Sequence, residues 1–582
     1  MKESAISLKP YLDRISAYCS ELSKKELTDI IISLAKEVPS SERMSFLKQI
    51  ESYIHRYKKT VSTETHSVDE ILDEVEELRE DIVNRIGSIE DGTYWDEYWD
   101  YSNGLWQNDS YYDDDQPEYV TEEQIEYLES LFDVADEIFL KGDLEGAEKL
   151  YRSLLDLVDF IESDAIVFPD NINLKEARAR YCRCVYETSD LETRLEKFIM
   201  AMKPDLPFEF YQDRYLERYP LMQDVIDAKQ EEMKDLDSFW PMWKNALSRW
   251  TKTARVSILY LEAIHHLQGI DGVVQKAREW GKKQPQGYFC WLKTLEKEKE
   301  FRGMLDVCKE ALEIFDENMI KRRIANIMIS VAKELGDNKH ILMGKRERFF
   351  SDPGDSSLLD FIAEATVQGK KNTEIDRAIK FCNECSTNQA HLKPIRVKLH
   401  LMAGDLESAF VEAKSERCMG WSSNNVAGIV FGAILSSIVD HSDRAPTIKA
   451  LFQNYSEVYQ YFGINSSVNQ SANTSLYEYI VDGLKAKKET KSLAVKYFSW
   501  AVEIGAKRID HIVSNKYRGA YERAAKVLGS LAEAYILSGR KGEAEKIINT
   551  FCRIKYSRYS AFKREVKKVT NDSSILRCLS FV

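Results

Sequence analysis

Near the end of this 582-residue chain Lys563, Arg564, Lys567 and Lys568 fall at helical spacing. Lys563 with Lys567, and Arg564 with Lys568, lie one turn apart, so a helix here carries a continuous cationic strip. From Lys485 to Val582 there are 22 Lys or Arg against 9 Asp or Glu, with Tyr556, Tyr559 and Phe562 among the cations. Residues 61 to 140 are the reverse: 26 Asp or Glu stand against Arg79 and Arg85. That block is more negative than the whole chain, whose formal charge is −15, so the remainder is net positive. Within it Tyr94, Trp95, Tyr98, Trp99 and Trp106 are mixed with carboxylates and show no helical period, the composition of a linker or docking segment.

The chemistry of these opposite ends allows three uses. First in rank, a solvated last helix closes a helical stack with a polar outer face. Second, the acidic aromatic segment docks on the basic end of its own chain or of a second copy, where rings over Lys and Arg add cation–π to Coulomb attraction. Third, the strip neutralises phosphates and binds nucleic acid in a salt-dependent way.

Soft metal ligands gather at Cys382-x-x-Cys385, with His391 and His400 downstream. Zinc needs four converging ligands, whereas Ile375, Ala378, Ile379 and Cys382 share one helix face, which makes buried structural thiols the expectation. Cys182 and Cys184, two apart on a helix, point in different directions. No metal and no cofactor is therefore expected. The sequence has no phosphate loop after a strand, no nucleophile elbow and no metalloprotease histidine pair, so no catalytic residues are assigned and the chain is not expected to be an enzyme.

Ten cysteines without the regular pairs of a secreted scaffold point to a reducing, cytoplasmic setting. Met1 to Arg14 carries charge where an export signal has an apolar core. The longest apolar run, Val426 to Val439, is too short for a bilayer, and its Gly428 and Gly432 suit close helix contact. No membrane partner is expected.

A helical body must position the charged ends. Glycine and proline number 25 and 12, about half their usual combined share of roughly 12 %, so helix is the default. Gly269, Gly303, Gly336, Gly369 and Gly404 are spaced 34, 33, 33 and 35 residues apart, the period of stacked helical hairpins. Ser23 with Glu26 forms a capping-box pattern before Leu27, Ile30, Ile31 and Leu34, and Met44, Leu47, Ile50 and Ile54 share the face of a following helix. Thr121 with Gln124 repeats that pattern. At Gly142-Asp143, Gly404-Asp405 and Gly539-Arg540 a helix stops and another starts, with Ala147, Ala409 and Ala544 five residues after the glycine.

These segments resemble the tetratricopeptide repeat, which implies an all-α fold: a right-handed α-solenoid of helical hairpins, here with an acidic linker segment. The runs Leu22 to Leu27 with Pro39, and Lys507 to Arg518 with the helix pair through Phe562, resemble the repeat body of bacterial SWIM zinc finger family proteins. That family's zinc motif is Cys-x-Cys followed by Cys-x-His; Cys182 and Cys184 match its first half, and no cysteine here has histidine two places on. The resemblance therefore implies a bacterial helical-repeat body without the metal.

The expected organisation is a hairpin at 1–60, an acidic aromatic segment at 61–120, and an irregular helical-repeat region at 121–240 with an insertion around Phe208, Tyr211, Tyr215 and Pro220. A central solenoid at 241–484 and a basic helical cap at 485–582 follow. Pro241, Pro353 and Pro394 mark expected helix breaks. The functional expectation is a scaffold or adaptor holding partner proteins on the repeat surface, from about Trp240 to Lys485. The alternative is nucleic-acid association through the basic helices.

Overall fold

The computed structural model describes residues 8–20, 22–37, 44, 46–47, 67–91, 99–100, 105–106, 118–163, 172–204, 218–249, 253–385, 389–421, 424–440, 444–456, 474–486 and 491–579. The fold is all-α; among the described residues the extended structure is a two-residue antiparallel ladder, Trp99 opposite Trp106 and Asp100 opposite Leu105. The chain divides into two compact units, Met1–Trp291 and Leu292–Val582.

In the first unit the acidic block does not begin as a linker. Val68–Glu90 is a helix, capped reciprocally by Ser67 and Glu70. Ile71, Val75, Leu78, Ile82 and Ile86 recur every three or four residues and are buried against the hairpin Glu122–Lys141 and Leu144–Ser163. The linker expected over 61–120 is thus corrected for 68–90. Its carboxylates hide an aliphatic stripe of helical period, and they occupy the outer face of an amphipathic helix. Gly142 closes Glu122–Lys141 at φ 90, a left-handed conformation open to glycine because it has no Cβ. Asp143 Oδ1 then accepts the Gly146 N–H at 3.0 Å, and Ala147 is fully buried.

Leu174–Thr188 joins this core to a second one. Cys184 faces the first, and Cys182 faces the second with Phe198, Phe239, Trp240 and Trp243, so the two thiols do point apart. Arg178, Arg180 and Arg183 on the same helix are buried, and each is neutralised by a carboxylate: Asp159, Asp136 and Glu187 respectively. The N-terminal helices Leu8–Ser20 and Lys24–Glu37 form, with the Ser23–Glu26 capping box in place. The packed hairpin expected over 1–60 is not formed among the described residues: Tyr18, Ile30, Ile31, Leu34, Met44 and Leu47 are exposed. Two helices alone bury too little surface to shut an apolar stripe. Ile50 and Ile54 lie outside the described residues, as do Phe208, Tyr211 and Tyr215.

In the second unit Phe301–Ile314, Asn318–Leu335, Asn338–Ser351, Asp355–Val367, Lys371–Glu384, Gln389–Met402 and Leu406–Ala413 each pack on the next. Gly336, Gly369 and Gly404 close helices at φ 65, 67 and 71. After each, the next N–H reaches back to a carbonyl, Asp337 to Ala332, Lys370 to Ala365 and Asp405 to His400, at 2.7–2.8 Å, which is the Schellman geometry.

The other two rungs differ from these. Gly269, at φ 68 and ψ −165, breaks the helical backbone within Ala254–Trp280, so two helices meet there across a kink. Gly303 lies inside Phe301–Ile314, and Lys299, at φ 59, takes the turn, with the Glu300 N–H on the Leu295 carbonyl at 2.9 Å. The same backbone bonds hold a lysine where glycine was expected. Pro353 stands between helices, but Pro241 and Pro394 are inside Leu236–Leu247 and Gln389–Met402. Each proline sits in the second turn and forfeits one main-chain bond, while buried neighbours (Trp240 and Trp243, Leu392 and Ile395) keep the helix packed.

Val426–Ile438, the longest apolar run, is buried nearly all round among Pro446–Ser456, Leu476–Ala486, Lys491–Ser514 and Tyr521–Leu537. Gly428 and Gly432 admit the rings of Tyr455 and Phe452, where a Cβ would overlap them. One core cluster therefore runs from Leu342 to Leu579, across the expected boundary at 484. Two buried charges pin it. Lys398 bonds both oxygens of Asp355 at 2.7 Å. Glu533 accepts from the Thr447 and Ile448 N–H groups and the Thr447 and Ser573 hydroxyls, fastening the start of Pro446–Ser456. Among the described residues no helix is long and apolar enough to cross a membrane.

Candidate functional site

The helix Ser560–Asp572 carries all four cations of the predicted strip, but packing splits them. Phe562, Val566 and Val569 face the core, which leaves Arg564, Lys567 and Lys568 exposed and Lys563 half-buried. Lys563 lies near Cys552, whose thiol burial pushes up to about 11 while Lys563 pulls it back. Lys568 turns instead toward Tyr521–Leu537. There the Glu522 carboxyl is held low first by its bond and charge interaction with Lys526, and further by Lys568 and Arg523. Lys526, Lys568 and Arg523 thus surround one carboxylate, and the surface they share is net positive.

That surface continues into a cluster that the sequence reading did not single out. Tyr455, near the end of Pro446–Ser456, reaches Val426–Ile438 through the gap left by Gly428. Its hydroxyl donates to the Gly420 carbonyl at 2.8 Å, and this fixes the segment so that Trp421 stacks on the Tyr455 ring, 6.2 Å between centroids and 9° between planes. The guanidinium of Arg508, from Lys491–Ser514, lies 5.2 Å from the Trp421 centroid, and that of Arg523 lies 5.5 Å away.

The turn between the two arginine-bearing helices brings these side chains together. Lys516 adopts φ 58, and the Lys516 and Tyr517 N–H groups bond back to Val513 and Ile512 at 3.1 Å, followed by the short turn Arg518–Ala520. Burial raises the Tyr455 pKa, and Arg508 and Arg523 oppose that shift. Arg508 Nε is buried and has no hydrogen-bond acceptor. Among the described residues Arg508, Arg523 and Lys568 have no carboxylate within ion-pair distance, whereas Arg346 and Arg396 meet Glu374 and Glu412 at 2.9 and 2.7 Å. The arrangement presents two planar donors on an aromatic platform, with the Lys568 ammonium beside the neighbouring Glu522, a chemistry suited to an anion.

The other predicted positions are separate. Trp99 and Trp106 are backbone partners in the two-residue ladder, and Tyr94, Trp95 and Tyr98 lie outside the described residues. Cys382 is buried, its thiol pushed up to about 11 by burial. His391 is exposed, its Nε2 3.2 Å from the Pro353 carbonyl. His400 is half-buried beside Asp405, and burial is the main cause of its lowered pKa. Among the described residues no three metal-ligating side chains converge.

Trp421, Arg508 and Arg523 come from separate segments, and cation–π contact leaves no local spacing pattern. Of the three, Arg508 alone falls within the run Lys507 to Arg518. No protein family, curated protein or solved structure matches the chain.

Proposed function

We propose that the chain is a non-enzymatic scaffold or adaptor that holds partner proteins on an α-helical repeat surface. One observation carries this reading: the same left-handed turn and back-bonded N–H recur at Gly336, Gly369 and Gly404 between helices that each pack on the next. That recurrence supports a right-handed solenoid of tetratricopeptide-like hairpins, and solenoids expose long surfaces on which partners lie. A bacterial cytoplasm is the proposed setting, supported by cysteines buried as thiols at 182, 184, 308, 382 and 552. The acidic segment with Trp99 and Trp106 is the proposed regulatory or self-associating element. The test is affinity capture at native expression followed by reconstitution. A stoichiometric partner that re-forms the complex from purified components supports the scaffold; recovery of the chain alone argues against it.

A second reading, nucleic-acid association through the basic C-terminal helices, is favoured by the shared positive surface of Arg523, Lys526 and Lys568 around Glu522.

A further inference from the structure

Building on the nucleic-acid reading, we infer that Arg508, Arg523 and Lys568, with Trp421 as platform, form a binding site for the phosphodiester backbone of nucleic acid. A guanidinium lying over an aromatic ring uses its flat face for that contact and keeps its in-plane N–H groups for an acceptor. Both guanidinia lie within 5.5 Å of one indole, and that indole is fixed from behind by Tyr455, itself tied to Gly420. Much of the ordering cost of two long side chains is therefore met before any ligand arrives.

The buried Arg508 Nε without an acceptor is the second observation that points to a ligand. A buried donor left unsatisfied costs free energy, and an anion offsets that cost. Arg178 meets Asp159 at 2.8 Å, and Arg255 donates to the carbonyls of Met202, Lys203 and Pro220. Arg79 and Arg194 also carry a buried Nε without an acceptor, but each has a carboxylate within ion-pair distance, Glu76 at 3.3 Å and Asp235 at 3.5 Å. Arg508 differs from all four in having neither a carboxylate nor a carbonyl on its guanidinium among the described residues.

A phosphodiester backbone fits better than a single anion. Arg523, which shares Trp421 with Arg508, also lies beside Glu522 together with Lys526 and Lys568, so three cations gather around one carboxylate next to the platform. A ligand with regularly repeated charge can meet both the platform and that group, and each phosphate offers oxygens to more than one guanidinium.

The test is fluorescence anisotropy of the full chain with a fluorescein-labelled oligonucleotide, as single-stranded DNA, single-stranded RNA and duplex DNA, across a salt series. Inorganic polyphosphate and a synthetic peptide of residues 92–117 serve as competitors. R508Q/R523Q is expected to bind about 10- to 30-fold more weakly at low salt, with a log–log salt slope shallower by about one per residue removed. R508K/R523K, which keeps charge but not the planar fork, falls between. K568Q alters an exposed residue, leaves the fold intact, and alone lowers the slope by about one.

If the wild type binds but R508Q/R523Q and K568Q match it in affinity and slope, this site is refuted while the nucleic-acid reading stands, and K563Q/R564Q/K567Q would then carry the loss. If the wild type binds no oligonucleotide at low salt, the nucleic-acid reading falls and the site with it. Tight binding of the 92–117 peptide by a chain that ignores nucleic acid would assign the surface to protein docking and overturn the inference.

Discussion

Two glycines of the same ladder should respond to alanine with opposite signs. Gly369 sits at φ 67 with nothing within 4 Å of where a Cβ would stand, so G369A introduces no clash and its cost is conformational. The left-handed backbone costs an L-residue about 1–2 kcal/mol, and the stiffer unfolded chain returns about 0.4–1 kcal/mol. The net loss is on the order of 1 kcal/mol. Gly303 is helical, and a Cβ there would meet Leu295 Cδ1 at 3.6 Å, an ordinary contact. G303A should therefore stabilise by about 0.5 kcal/mol. Because a chain of two units need not unfold in one step, the assay is native-state hydrogen exchange on the full chain. Exchange in Asp355–Val367 should accelerate about fivefold in G369A, and exchange in Phe301–Ile314 should slow in G303A. Destabilisation by G303A equal to that by G369A would refute the assignment of the turn to Lys299 rather than Gly303, and a silent G369A would refute the cost assigned to its left-handed backbone.

Further outcomes are expected at Lys398, Glu533 and Cys182. K398M strands Asp355 in the core and should cost about 3–5 kcal/mol, while K398M/D355L should recover most of it; equal loss in both, by guanidinium unfolding, would show that the pair is not coupled. The Lys398 pKa is lowered, mainly by burial, so the unfolded chain binds more protons between its folded pKa and 10.5; stability from this site rises with pH there, and K398M should flatten that rise. Glu533 has a raised pKa, mainly from burial, so its contribution is fullest below the usual carboxylate range and declines as pH rises through the folded pKa. E533Q removes that decline but turns an amide NH2 toward the donors of Thr447 and Ile448, a loss of about 1–3 kcal/mol by denaturant titration; an unchanged midpoint would contradict the pin. Burial pushes the Cys182 thiol up to about 12, so iodoacetamide at neutral pH should modify exposed Cys19, Cys418 and Cys578 first and reach Cys182 only on unfolding.

Helix class and most turn chemistry were legible because they are local. Gly142-Asp143 and Gly404-Asp405 state a stop and a cap in adjacent letters, and the structure places both. Over Val68–Glu90 the density of carboxylates masks Ile71, Val75, Leu78, Ile82 and Ile86, whose spacing of three or four is that of a helix. Lys299 could not be found that way, since its left-handed turn is imposed by backbone bonds around it. The unpacked faces of Leu8–Ser20 and Lys24–Glu37 show the converse: periodicity gives the helix but not what lies against it. The cluster at Trp421 depends on residues up to about a hundred positions apart meeting in space, where a local reading has no purchase.

The scaffold itself is tested most directly by cross-linking mass spectrometry of the reconstituted complex, using lysine-reactive reagents on the full chain. The account predicts that partner cross-links concentrate on the exposed lysines of the repeating helices, Lys333, Lys339, Lys370 and Lys380. Cross-links confined to the N-terminal unit or to the helices after Lys491, with those four lysines unprotected, would contradict it.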